Sequence, residues 1–244
     1  MHVPNGEPQF VLGTDPSTRR GDKPTSLLAL GDTLVLAGHA HMAMTILYGY
    51  IAISEDLGTT WTEIPGSPWT GGSKFKRMMF INMGRGYSLN EDGMVYGIGI
   101  ASDHGLSDLY LARVPVEQVT NYDAYSYFAG FEGDGSPIFV PRDESVAAPL
   151  AGPKASMQGG VIFHPGIQRY LMLIPAKDFV LELWEAPEPW GPWFLAQRFE
   201  SEAYAPAIIS KDTGPDFFYF TGAGGAGIGD TYQLNISRIV MTLK

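Results

Sequence analysis

Acidic, basic and imidazole side chains recur just outside short apolar runs, at Asp22-Lys23, His39-Ala40-His41, Lys76-Arg77, Ser102-Asp103-His104 and Glu202-Ala203-Tyr204. Two carboxyl groups placed across a glycosidic bond hydrolyse it, with retention at about 5–5.5 Å separation and inversion at about 6.5–9.5 Å. Asp22 and Asp103 are the first candidates for such a pair, with Glu202 as substitute. Asp22 sits beside the Lys23 cation, which suits a base or nucleophile; its alternative role is to cap the turn entering the first strand. Asp103, in Ser-Asp-His-Gly, also fits an ordinary turn. His39 and His41 are two apart, so in an extended strand both imidazoles share one face. That spacing suits a chelated ion with His104 as a third ligand, a sugar contact, or a merely exposed pair.

These groups act together only if the elements between them bring them together. Short strand-like runs bounded by Gly, Pro, Asn and Asp fill the chain, and no long segment has a helical period. Residues 25–30, 34–38, 48–54 and 61–64 form one antiparallel unit of four strands. Residues 78–83, 94–101, 109–114 and 125–129 form a second, followed by a Pro-rich connection from Ser136 to Pro153. The tract 116–127 is open between a short helix and a loop. Residues 158–163, 170–174, 180–184 and 194–199 form a third unit. Residues 207–210, 217–221 and 234–241 form a fourth that lacks one strand, which Gln9 to Leu12 could supply. Repeated four-stranded units at this spacing predict an all-β propeller in one domain spanning residues 1–244.

Within the first unit, Ser54, Asp56, Gly58 and Trp61 follow the pattern S-x-D-x-G-x-T-W. Asp56 can bind amides of its own turn, Gly58 supplies a positive φ, and Trp61 folds back as an apolar cap. The pattern resembles the Asp-box of sialidases and other propellers, a structural corner on the face opposite the active site. In a propeller, the outer-to-inner connection and the loop between the second and third strands emerge on the other face, around the axis. Lys23, His39, His41, Arg77, His104, Gln158 and Tyr204 then join the acids at one mouth as substrate-binding candidates. Asn82 and Arg85, after the innermost strand of the second unit, are further candidates; Arg85 suits either a sugar carboxylate or an ion pair between blades.

The chain has 244 residues, 45% of them hydrophobic and 12% aromatic, enough for a sizeable core. A formal charge of −10 argues against nucleic acid or an anionic membrane as partner. A locally basic mouth in such a chain suits a polar sugar or a uronic acid. Without cysteine there is no disulfide framework and no thiolate chemistry. No apolar run is long enough for a membrane-spanning helix and no signal peptide is visible at Met1. A soluble protein is expected, with secretion, location and oligomeric state left open. Trp184, Trp190 and Trp193 read either as rigid packing or as a sugar platform. The glycine loop 222–227 lacks the Lys-Ser/Thr of a phosphate loop, and no G-x-S-x-G motif is present. No cofactor is expected, no metal ligands are assigned, and a divalent cation at the propeller axis is left open.

Six phrases carry a wider resemblance. They are Gly21-Asp22-Lys23-Pro24, Asn82-Met83-Gly84-Arg85-Gly86-Tyr87 and Tyr110-Leu111-Ala112-Arg113-Val114-Pro115, then 124–130 (AYSYFAG), 185–193 (EAPEPWGPW) and Tyr204-Ala205-Pro206. In this order they resemble a bacterial family of sialidase-like propellers catalogued as domain of unknown function 4185. The resemblance implies five blades, of which four units are countable here, and an activity like that of members that are endo-acting hydrolases of D-arabinofuranan. The expectation is therefore an endo-acting glycoside hydrolase with a carboxylate pair at the axis. The alternatives are a silent propeller that binds glycan or protein, and a polysaccharide lyase using His41 or Tyr204 as base while Arg77 or Arg85 neutralises a uronate.

Overall fold

The short apolar runs form seventeen strands and no α-helix among the described residues. The computed structural model describes residues 20–202, 204–224 and 233–242, without the side chains of residue 20 and residues 200–202. The first blade is the antiparallel sheet β1 (Arg20–Leu30), β2 (Thr33–Met42), β3 (Thr45–Ser54) and β4 (Thr62–Glu63), in that order. The second contains β5 (Arg77–Asn82), β6 (Met94–Ile100), β7 (Ser107–Pro115) and β8 (Ser126–Phe131). The Pro-rich stretch expected to be a plain connection adds β9 (Pro137–Pro141) on β8 and β10 (Pro149–Ala155) on β7. The third contains β11 (Gly160–His164), β12 (Arg169–Pro175), β13 (Val180–Ala186) and β14 (Phe194–Glu202). The fourth shows β15 (Tyr204–Ile209), β16 (Phe217–Ala223) and β17 (Leu234–Val240).

The fold is an all-β propeller of antiparallel four-stranded sheets. Gln9 to Leu12, the candidate for the missing strand, lies outside the described residues. The tract 116–127 is no α-helix but two 3-10 turns, Val116–Gln118 and Tyr122–Ala124, followed by the start of β8.

Propeller blades stack face to face, so their inner strands are covered on both faces and lose the alternation of a half-exposed strand. That is why β5 reads Arg-Met-Met-Phe-Ile-Asn: Met78, Met79, Phe80 and Ile81 are all buried. Neighbouring inner strands are stitched directly. The Ser26 hydroxyl on β1 donates to the Met78 carbonyl (3.1 Å) and accepts the Phe80 amide (2.9 Å) on β5. β5 and β11 pair in parallel, with Val161 opposite Ile81 and Ile162 opposite Asn82. β15 comes so close to β11 that a Cβ on Gly160 would stand 2.3 Å from the Ile208 amide nitrogen. Farther out, Trp69 is buried, donates to the Tyr127 hydroxyl (3.2 Å) and takes Tyr122 and Tyr125 edge-on at 5.1 and 5.2 Å. Tyr122 in turn accepts the Ile51 amide (2.9 Å) and donates to the Ile64 carbonyl (3.2 Å), joining the first two blades.

The corner after β3 is built from the residues the motif contains. Ser54 donates to the Asp56 carboxylate (2.8 Å) and accepts the Gly58 amide (2.8 Å). The same carboxylate accepts the Thr60 amide (2.8 Å) and hydroxyl (2.7 Å), while the Trp61 indole donates to the Gly58 carbonyl (3.2 Å). The Thr60 amide above all, then the Thr60 and Ser54 hydroxyls, pull Asp56 down to about 2. A carboxyl with a depressed folded pKa adds stability above its unfolded value, and that stability is lost as pH falls through the folded value. Asp56→Asn is therefore expected to lower the melting temperature at pH 7, with the gap to wild type closing as pH falls from about 4 toward 2. Thermal melts of the two proteins across that range check this; a gap independent of pH would contradict it.

Candidate active site

The register of the first hairpin sets the first half of the site. Lys23 stands opposite His39, Asp22 opposite Ala40 and Gly21 opposite His41. The alternation of β2 brings the two imidazoles to one side, with ring centroids 6.0 Å apart. Gly21 is required there: a Cβ on it would stand 2.5 Å from the His41 ring. His39 is buried and His41 half-buried.

The second blade supplies the other half. Arg77 opens β5 opposite Ile100, so the loop after β6 rises beside it. The Arg77 guanidinium donates to the Ser102 carbonyl, and the Lys76 ammonium pairs with Asp103. Lys76 and Arg77 are only 5% and 4% exposed, a depth at which a charge persists only with partners. The His104 Nε2 meets the Met44 carbonyl in the loop between β2 and β3, so the loops of adjacent blades touch at this end.

The electrostatics tie the two halves together. Burial drives His39 down to about 3, and the positive charges of Arg77, His41 and Lys23 add to this while Asp103 opposes it. His39 is therefore a neutral imidazole in neutral solution. His41 is lowered by burial and Lys23, against the Gly21 backbone and Asp22. Arg77 falls to about 10 through burial, with Asp103 resisting, and stays a cation. His39 Nδ1, His41 Nδ1 and Arg77 Nε are buried without a hydrogen-bond partner among the described residues. These polar atoms from two blades fit a site shaped for a polar ligand, since buried polar groups are normally satisfied.

The third and fourth blades approach the same end. Gln158 is half-buried just before β11; beside it the Gly159 amide meets the Met79 sulfur (3.0 Å) and the Ala205 amide meets the Met157 sulfur (3.3 Å). Exposed Tyr204 opens β15 there. Glu202 ends β14 with its backbone opposite Val180, and its side chain is outside the description. Most of the glycine loop, 225–230, also lies outside the described residues.

Two of the expected residues stand elsewhere. Asn82 ends β5, five residues beyond Arg77 and so about 17 Å away along the strand. Arg85 is exposed in the turn that follows. Both belong to the end opposite the mouth, as does a cleft of about 590 Å³ lined by Gly31, Tyr87 and Asn90. Lys74 donates to the Ser145 and Ala147 carbonyls at 2.9 and 2.8 Å, and Lys154 pairs with Asp108 at 2.8 Å. His164 is buried with its Nε2 3.1 Å from the Phe217 carbonyl, a link between the third and fourth blades. No group of three or more His, Asp or Glu able to hold a metal ion occurs among the described residues, and no described helix is long and apolar enough to cross a membrane. Sequence reasoning missed the grip of Lys76 on Asp103, although two adjacent cations entering a buried strand were a visible signal.

The sequence model of the family described as domain of unknown function DUF4185 matches residues 16–223. No curated protein matches the sequence. In structure the chain is similar to a family 117 glycoside hydrolase of the marine bacterium Zobellia galactanivorans, at 12% identity and a TM-score of 0.50, covering 92% of this chain and 70% of that one. A thermostable family-43 glycoside hydrolase gives 15% identity and a TM-score of 0.50, covering 90% and 71%. The chain spans 35% of the Bacteroides ovatus xyloglucan protein GH43B, at 10% identity, a TM-score of 0.46 and 82% coverage of this chain. At these identities the likeness is one of fold.

Removing one partner of a buried ion pair leaves an uncompensated charge, whereas an apolar pair of similar volume is close to neutral. Asp103→Leu is accordingly expected to destabilise the protein by about 2–4 kcal/mol, discounted for the partial exposure of Asp103. The double variant Lys76→Met/Asp103→Leu regains most of that. Urea unfolding of the two variants and wild type checks this; additive losses would contradict the pair.

Proposed function

The chain belongs to the DUF4185 family of sialidase-like propellers, and we propose that it is a glycan-active enzyme, an endo-acting glycoside hydrolase working at the mouth of the propeller. One observation carries this reading. Arg77 and Asp103 of the second blade act electrostatically on His39 of the first, and Asp22 lies at the same end of β1, opposite Ala40 and so on the other face of the sheet from the two imidazoles. The fold shared with family 117 and family 43 glycoside hydrolases supports it.

In this reading Asp22 is the nucleophile or base, held near Lys23 and His41. Asp103 is the second carboxyl group, its orientation fixed by Lys76; Glu202 is the substitute for either. One carboxyl group gives its proton to the leaving oxygen as the bond from the anomeric carbon breaks, and the bonding electrons go to that oxygen. The other attacks the anomeric carbon or takes a proton from the attacking water, according to their separation. Lys23, His41, Arg77, His104, Gln158 and Tyr204 are the substrate contacts. Neutral His39 offers a hydrogen bond without adding charge. Lys23, Lys76 and Arg77 concentrated at this mouth, in a chain of net charge −10, suit a polar sugar or a uronic acid.

A panel of bacterial and plant polysaccharides, read by reducing ends and by absorbance of unsaturated products, tests the proposal. Release of reducing ends is expected for one polymer, and Asp22→Asn should lower that rate by about 10²–10⁴-fold while leaving binding largely intact. Unsaturated products would make the protein a lyase instead. Binding without any cleavage would make it a non-catalytic propeller.

A further inference from the structure

A second recess opens beside the mouth, on the flank between the second and third blades. It is a cleft of about 460 Å³ with β10 on one side and β13 and β14 on the other. Leu106, from the loop that carries Asp103 and His104, reaches its rim, so cleft and mouth share one loop. The loop after β12, Ala176 to Phe179, closes the cleft at the same end.

Its wall is an ordered array of flat polar and aromatic groups. Glu182 is only 4% exposed and stands opposite Arg198 in the β13–β14 register. Arg198 donates to one Glu182 oxygen through Nε (2.9 Å) and a terminal nitrogen. The Trp184 indole donates to the other oxygen (3.0 Å). Gly152, with φ +109°, lets β10 lie against the Trp184 ring, where a Cβ would come within 2.9 Å. A buried carboxylate thus locks an indole and an exposed guanidinium into fixed planes. Such planes present an apolar face and directed donors to a ring with hydroxyl groups at its edge.

The closing loop adds an independent observation. Asp178 and Phe179 both have positive φ, 56° and 60°, although neither is glycine. Two hydrogen bonds hold this shape: the Ala176 amide to the Val180 carbonyl (2.8 Å), and the Val180 amide to the Lys177 carbonyl. Phe179 remains 44% exposed, so burial does not offset the strain. Backbone strain retained at an exposed loop points to a use for the loop's shape.

We propose that this cleft is a second saccharide-binding site, taking uncharged sugar residues of a chain whose other part lies in the mouth. The class follows from charge. Lys154 is neutralised by Asp108, Arg198 by Glu182, and Lys177 has Asp178 next to it in the loop. The cleft sets three cations against three carboxylates, so an acidic sugar gains nothing there. The proposal rests on the glycan-active reading, and adds that recognition extends over several residues of the polymer.

The test is calorimetric binding of linear oligosaccharides of two to six residues, of xylose, arabinose, glucose and galacturonate, to the whole chain carrying Asp22→Asn. For at least one neutral series, affinity is expected to rise about tenfold between three and six residues. Trp184→Phe keeps an aromatic ring and Arg198→Lys keeps the charge, but they lose the indole donor and the guanidinium fork, and each should erase that rise while leaving the trisaccharide affinity unchanged. A rise that survives both substitutions, a rise confined to galacturonate, or binding that never grows with length would overturn the cleft proposal alone. Binding of no saccharide at all would sink the glycan-active reading and this proposal with it.

Discussion

The constraint on which the structure depends is the packing of each blade's first strand against that of the next. Ser26 bonds to both sides of Met79 across the β1–β5 seam, β5 pairs with β11, and Gly160 admits β15. A strand in this position is covered on both faces, so it must be apolar in its middle, and its charges can sit only at its ends. Arg77 and Lys76 at one end of β5 and Asn82 at the other follow from that. The mouth is the place where the starts of these strands and the loops between second and third strands come together.

Crowding charges at such a place has a cost that the structure offsets locally. Lys76 is compensated by Asp103, and Arg77 by the Ser102 carbonyl and the nearby Asp103. His39 cannot take a third positive charge in the same volume, which is why burial and Arg77 keep it neutral. A neutral imidazole beside a fixed guanidinium is a donor or acceptor that does not change with ordinary variation of pH. That property suits recognition of a hydroxyl-rich ligand better than proton transfer, and leaves acid–base work to the carboxylates.

Much of this was legible in the sequence because strand alternation and turn chemistry are local. The corner from Ser54 to Trp61 could be read residue by residue, since every partner in it lies within four residues. The run Met78 to Met83 could be read as a strand, and the structure adds that Met78 to Ile81 are covered on both faces. Asp22, His39, His41, Arg77 and Asp103 could be grouped because a propeller's strand directions dictate which loops share a face. What escaped were long-range choices. Prolines in 136–153 hid β9 and β10, which pair with β8 from Pro137 to Pro141 and with β7 at Pro149, Lys154 and Ala155. Lys74, two residues before Lys76, turns away to the carbonyls of 144–147, some seventy residues along the chain. Asn82 and Arg85 looked close to Arg77 in sequence, but an extended strand carries them to the opposite end.

The central claim is that blade two's Arg77 stands beside blade one's His39, and one measurement reaches it directly. Nitrogen-detected NMR titration of His39 in wild type and in Arg77→Met reports whether the charge of one blade is felt by the imidazole of the other. The structure predicts that His39 in wild type stays neutral until about pH 3, and that removing Arg77 moves its titration upward. An imidazole that titrates near its ordinary value of about 6.5 in both proteins would contradict the shared mouth.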